Sequence, residues 1–248
     1  MQGSGAHGAF TWGVLDALLE DCRIGIDGIC GSSTGAMNAV VLAQGGQQGG
    51  RDGARQALAD FWAASCPRAR SARATAMPSI CRRPKLHHAV EIEGQACWDG
   101  GYAANPAVFP LLFDCASRDL LLVPLGPLQR EGTSRTSRTV EAIDSRILEL
   151  GFGANFMRQM RLLAHAARLA RPVWRARGGL DRRLQQLSFH LIDADQLPSL
   201  QRSETQALLS APSCAACTRR AARAAAWLDE HAAGIGRRST VDLPERSG

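Results

Sequence analysis

Two short glycine-rich strings hold most of the chemistry this sequence can express. The first is Gly3-Ser4-Gly5-Ala6-His7-Gly8, followed at once by AFTWGVLDALLED, whose Phe10, Val14, Ala17 and Leu18 fall on one helical face. Its G-x-G-x-x-G spacing suits a dinucleotide-binding turn, which needs a strand before it and an acidic residue closing the next strand to bind ribose. Only Met1 and Gln2 precede the string here, and the next strand-like run, IGIDGIC (24–30), leads into Gly31-Ser32-Ser33-Thr34-Gly35 instead of an acid. That second string has the G-x-S-x-G form of a nucleophile elbow, a sharp strand-to-helix turn that presents Ser33 above a sheet. Next to an elbow, the opening loop gains another use. Its glycines let backbone N–H groups approach an oxygen, and the helix that follows adds its positive dipole end, an arrangement suited to an oxyanion.

A serine hydroxyl is a weak nucleophile until a base takes its proton. Two arrangements are open on the residues alone. In one, His165 or His190 is the base and Asp99 orients it, in the chain order Ser…Asp…His. In the other, the base is Asp99 itself, in Trp98-Asp99-Gly100-Gly101, where the two glycines let the carboxylate approach another backbone closely.

The elements that must position these groups alternate between strand and helix. After the elbow, AMNAVVLA (36–43) reads as a helix stopped by GGQQGG (45–50), and residues 51–64 as a further helix with Ala54, Leu58 and Phe61 in phase. Residues 65–86 are rich in Arg and Pro and read as an irregular connection. HAVEIEGQACWDGG (88–101) reads as two short strands about a Glu93-Gly94 turn, and LLLVPL (120–125) as a central parallel strand. A polar loop over 126–139 precedes helices over 140–150 and 153–171, and LSFHLIDA (187–194) is one more strand before helices at 202–210 and 215–231. The pattern predicts one α/β domain over 1–248, a largely parallel sheet with helices on both faces, and a flexible tail from 232 to 248.

Composition narrows the partners. The formal charge is +6, yet Lys85 is the only lysine among 29 basic residues, and one Tyr and seven Phe are poor material for stacking bases. No nucleic-acid partner is expected. No stretch is apolar enough to cross a membrane, and no secretory leader is read. The expected location is therefore the cytoplasm, with room for a peripheral contact between a basic surface and anionic lipid headgroups. Helix 154–171 sets Phe156, Met160, Leu163 and Ala167 on one face and Arg158, Arg161, His165 and Arg168 towards the other. Packing of the apolar face on its own domain is the expected use. Of eight cysteines, Cys214-Ala-Ala-Cys217 has C-x-x-C spacing, but no second pair completes a metal site, and no metal or cofactor is expected.

Taken together, GSGAHGAFTWGVLDALLE, GSSTGAMNA and WDGGYAANPAVFPLL resemble the oxyanion loop, nucleophile elbow and Asp-Gly-Gly motif of bacterial patatin-like phospholipases. The resemblance implies that Ser33 is the nucleophile and Asp99 its general base in a dyad without histidine. It further implies that Gly3, Ser4, Gly5, Ala6, His7 and Gly8 form the oxyanion hole, and that lipid acyl esters are cleaved without metal or cofactor. Against the family pattern, this sequence lacks a strand before the glycine loop, carries Ser4 within a normally all-glycine turn and Thr34 where alanine is common, and is shortened over 65–86. These departures make a catalytically impaired member, one that binds acyl lipid or a protein partner, the alternative expectation.

Overall fold

The computed structural model describes residues 1–3, 7–65, 89–125, 139–170, 179–192 and 223–241. Five α-helices and four short strands are formed by these residues: α1 (Gly8–Asp21), α2 (Thr34–Ala64), β1 (Val90–Ile92), β2 (Gln95–Cys97), α3 (Phe109–Asp114), β3 (Asp119–Leu122), α4 (Val140–Leu169), α5 (Gly179–Gln186) and β4 (Ser188–Leu191). Residues 223–231 are helical as well.

Strands β3 and β4 pair in parallel, from Asp119 opposite Ser188 to Leu122 opposite Leu191. Because side chains alternate along a strand, this small sheet has two faces to bury. Leu120, Leu122, Phe189 and Leu191 pack against Val108 at the start of α3, Leu112 within it, and Phe156 and Met160 of α4. Leu121, Val123 and Ile192 pack on the other side with Phe10, Val14, Ala17 and Leu18 of α1 and with Ala224 and Leu228. The sequence spacing in α1 and α4 thus predicts the buried faces correctly. Arg158, Arg161, His165 and Arg168 are exposed on α4, whose apolar face is used within the domain.

The other sheet is the hairpin β1–β2, antiparallel, with Val90 opposite Cys97. Its turn residues Glu93 and Gly94 have φ of 51° and 76°, the pair of positive values that matches a two-residue turn to strand twist. Both sheets have two strands among the described residues. The architecture is a mixed helix and strand arrangement compatible with an α/β patatin fold, and the expected large, mostly parallel sheet is not what these residues form.

One helical expectation holds and two others change. Residues 36–43 and 51–64 lie in the span α2, which breaks at Gly49 (φ −149°, ψ 26°) and Gly50 (φ 61°, ψ −144°), within the expected GGQQGG run. Gly45, ahead of the break, serves close packing, since a Cβ there would sit 2.4 Å from the carbonyl oxygen of Gly53. Residues 140–150 and 153–169, expected as two helices, are one, with Gly151 lying against the ring of Tyr102. The second change is IGIDGIC, which takes no strand pairing, and Ile26 is 40% exposed. A buried strand needs ladders at its edges, and only the far end of this segment has one.

Residues 232–241, read from the sequence as the start of a flexible tail, are fastened to the parallel pair. Thr240 N–H donates to the Phe189 carbonyl at 2.9 Å, and Phe189 N–H donates to Ser239 Oγ at 3.0 Å. The expected polar loop at 126–138, most of the connection at 65–86, helix 202–210, the first part of helix 215–231 and the Cys214–Cys217 pair lie outside the described residues. Among the described residues, no helix is long and apolar enough to cross a membrane.

Candidate active site

Ser33 stands where the extended segment 24–32 turns into α2. It is buried, it is the residue before the first helical position, and its backbone sits at φ 50°, ψ −124°. Such a conformation costs a non-glycine residue about 1–3 kcal/mol and persists only where the surroundings over-determine it. Those surroundings are visible. Ser32 carbonyl accepts hydrogen bonds from Gly35 N–H (2.8 Å) and Ala36 N–H (3.3 Å), closing the turn beneath Ser33.

The glycines at the turn leave no room for a side chain. A Cβ on Gly31 would lie 2.4 Å from the Gly35 carbonyl carbon, and one on Gly35 would lie 2.6 Å from the Met1 carbonyl oxygen. Both contacts are with backbone, which cannot swing aside. The G-x-S-x-G spacing is therefore a steric requirement of this turn.

The first glycine loop meets the elbow directly. A Cβ on Gly3 would be 2.5 Å from Ser33 Cβ, and one on Gly8 would be 2.7 Å from Thr34 Cβ. Gly3 N–H donates to Asn105 Oδ1 at 2.7 Å, so within the expected oxyanion loop Gly3 supplies close approach and its N–H is already bonded. Ser4, Gly5 and Ala6 lie outside the described residues. His7 is buried at the residue before α1, with Gly8 opening the helix. Asn38 ties the two helices behind the site: its Nδ2 donates to the Gly8 carbonyl at 3.0 Å while its Oδ1 accepts from Trp62 Nε1 at 2.8 Å.

Asp99 follows β2 and is buried, 3% exposed. Its Oδ1 accepts the N–H of Gly101 at 2.9 Å, the short helical turn of Gly100–Tyr102 making that contact possible. Its Oδ2 is buried with no hydrogen-bond partner among the described residues. A buried carboxylate oxygen without a donor is costly, and it is a position where a hydrogen-bond donor would be accommodated.

The segment after Asp99 is sewn to both glycine loops. Ser32 Oγ donates to the Ala104 carbonyl at 2.5 Å, Asn105 both accepts from Gly3 N–H and donates to the Gly3 carbonyl at 3.3 Å, and Cys30 Sγ donates to the Ala107 carbonyl. The structure thus gathers the neighbourhoods of all three motifs. Asn105 is the residue sequence reasoning missed. Its signal was a buried amide between the Asp-Gly-Gly string and Pro106, a type that satisfies backbone on two sides at once.

The histidine alternatives lie elsewhere. His165 is exposed on α4. His190 is 1% exposed in β4, with Nε2 2.9 Å from Asp119 Oδ1 and Nδ1 3.2 Å from Thr240 Oγ1. Both ring nitrogens are engaged away from Asp99, so a triad that orients His190 by Asp99 is not formed. No group of three or more His, Cys, Asp or Glu among the described residues could hold a metal ion.

The model of the patatin-like phospholipase family matches residues 1–75, consistent with a patatin-like family member and with the lipid-ester hydrolases that family contains. The match takes in both glycine loops and ends before Asp99. No curated protein and no solved structure matches the chain.

Proposed function

We propose that this chain is a serine acyl hydrolase of lipid esters, of phospholipase A or lipase type, using Ser33 and Asp99 as a dyad. The observation that carries the reading is the positive-φ, buried turn at Ser33, held by glycines that tolerate no side chain. In the proposed reaction Ser33 Oγ attacks the acyl carbonyl and its proton passes to Asp99 Oδ2. The tetrahedral oxyanion is met by N–H groups of the opening loop beyond Gly3, with the positive end of α1 behind them. The carbonyl re-forms, the alcohol leaves with the proton from Asp99, and water then releases the acyl group by the same steps in reverse roles. The substrate would reach the site from a lipid surface touched peripherally on the cytoplasmic side.

Hydrolysis of short-chain p-nitrophenyl esters tests the reading. Ser33→Ala is expected to fall to the uncatalysed background with an unchanged circular dichroism spectrum, because the covalent route is gone. Turnover equal to the unaltered chain would end it. The unpaired segment 24–30 favours one second reading, an impaired member that binds acyl lipid or a partner; a folded chain with no Ser33-dependent turnover would support that instead.

A further inference from the structure

Helix α4 has a second face, away from the one that buries Phe156 and Met160. At about 100° per residue, Val140, Ile143, Ile147, Leu150 and Ala154 fall within one narrow arc of it, and Arg158, Arg161, His165 and Arg168 continue the same arc. All of these side chains are exposed, the first four between 45% and 71%. The acids of the helix, Glu141, Asp144 and Glu149, fall outside the arc. One outward stripe is therefore apolar over its first half and basic over its second. Single exposed apolar residues are ordinary, but four in register on one helix mark a binding surface.

The apolar half ends beside the candidate active site. Gly151, next after Leu150, lies against the ring of Tyr102, and Asn155 Nδ2 donates to the Tyr102 carbonyl at 2.9 Å. Tyr102 is the last residue of the short helical turn that Asp99 caps. Trp98 and Tyr102, on either side of Asp99 in the chain, are 45% and 37% exposed. Both are types that favour the boundary between hydrocarbon and water.

The order of the stripe selects its occupant. A second copy packed in parallel would set arginines against arginines, and one packed antiparallel would set arginines against isoleucines. Neither arrangement gains from the whole stripe. An anionic bilayer offers both partners side by side, acyl chains beneath and phosphates at the surface. With α4 tilted along its length, the first half enters the acyl boundary and the arginines stay among the headgroups.

We propose that the outward stripe of α4 is a docking surface for an anionic lipid bilayer, with Val140, Ile143, Ile147 and Leu150 entering it and Arg158 and Arg168 pairing with its phosphates. Docking brings the Asp99 side of the candidate site, through Tyr102, towards the lipid. It serves the lipid-ester function proposed above yet needs no hydrolysis, so either can fail without the other.

The test is co-sedimentation of the full chain with vesicles of phosphatidylcholine alone and of an equal mixture with phosphatidylglycerol. Binding to the mixed vesicles should exceed binding to the neutral ones by about tenfold or more, and should weaken as salt is raised. Ile143→Ser with Ile147→Ser should lower it by about tenfold, and Arg158→Glu with Arg168→Glu by at least as much. Because these four side chains are exposed, the circular dichroism spectrum and thermal midpoint should be unchanged in both double variants. Ser33→Ala should bind as the unaltered chain does; binding without any Ser33-dependent ester turnover would sink the hydrolase reading and leave the docking standing. No binding by the unaltered chain, equal binding to the two kinds of vesicle, or full binding by either double variant would overturn the proposal. A dimer in solution that Ile143→Ser with Ile147→Ser dissociates would assign the stripe to a second copy and overturn it as well.

Discussion

Residues 24–30 and 31–35 are adjacent in sequence and differ in how completely the molecule specifies them. At 31–35 the backbone is held on every side: Ser32 closes the turn, a Cβ at Gly31 would strike Gly35, and one at Gly35 would strike the backbone of Met1 and Gln2. At 24–30 the chain is extended but unpaired, Ile26 is half exposed, and a Cβ on Gly25 would meet nothing within 4 Å. The turn has its closing hydrogen bonds within residues 32–36 and backbone packed against it, whereas segment 24–30 has no strand partner among the described residues. The same stretch therefore carries a rigid chemical turn at one end and an unpaired segment at the other.

The largest expected effect lies at the chemical end. Asp99→Asn keeps the shape but cannot accept a proton, and should lower turnover by about 10²–10⁴-fold. His190→Ala should leave most of the turnover, although His190 bridges Asp119 and Thr240 and its loss should lower stability. Equal losses of turnover in the two variants would move the base from Asp99 to a histidine.

Glycine substitutions then set the two ends against each other. Gly35→Ala should cost about 3 kcal/mol in urea unfolding, since three backbone atoms lie within 3.1 Å of the added carbon. Near-neutral behaviour would show that the turn can open.

The Met1 ammonium sits at the junction of the two regions. Its pKa is lowered from 8.0 to about 6 by burial, so the unfolded chain binds a proton more readily than the folded one between those values. This contribution to stability is complete above pH 8 and is lost as pH falls through 6, by about 2–3 kcal/mol. Urea midpoints at pH 5.5 and 8.5 should show that loss, and the Nα-acetylated chain should show it diminished. A pH response unchanged by acetylation would place the ammonium in water.

The smallest effect is expected at the open end. Gly25→Ala should be neutral or stabilising by roughly 0.4–1 kcal/mol, through the unfolded chain alone. A loss comparable to that of Gly35→Ala would mean that segment 24–30 is as tightly specified as the elbow.

What the sequence revealed follows the same division. The strand-to-helix turn at 31–35, the Glu93-Gly94 turn and the apolar faces of α1 and α4 were legible because each shows in residue types and spacing within a few residues. Gly31 and Gly35 declare their purpose by type and separation. The break of α2 within GGQQGG was legible, but the packing of Gly45 on Gly53 across it was not, because that contact joins the two sides of the kink. Asn105 was missed for a related reason: its two bonds to Gly3 span 102 residues. IGIDGIC was read as a buried strand from composition, and composition says nothing of whether a partner strand stands beside it. His190 looked available as a base until the structure showed it held between Asp119 and Thr240.

The central claim is that the strained turn presents Ser33 as a nucleophile. Treatment of the folded chain with a fluorophosphonate, followed by intact mass and peptide mapping, tests it most directly. The account predicts one covalent adduct, located on Ser33, slowed in Asp99→Asn and absent in Ser33→Ala. A folded chain that takes no adduct, or takes it on another residue while Ser33 stays unmodified, would contradict it.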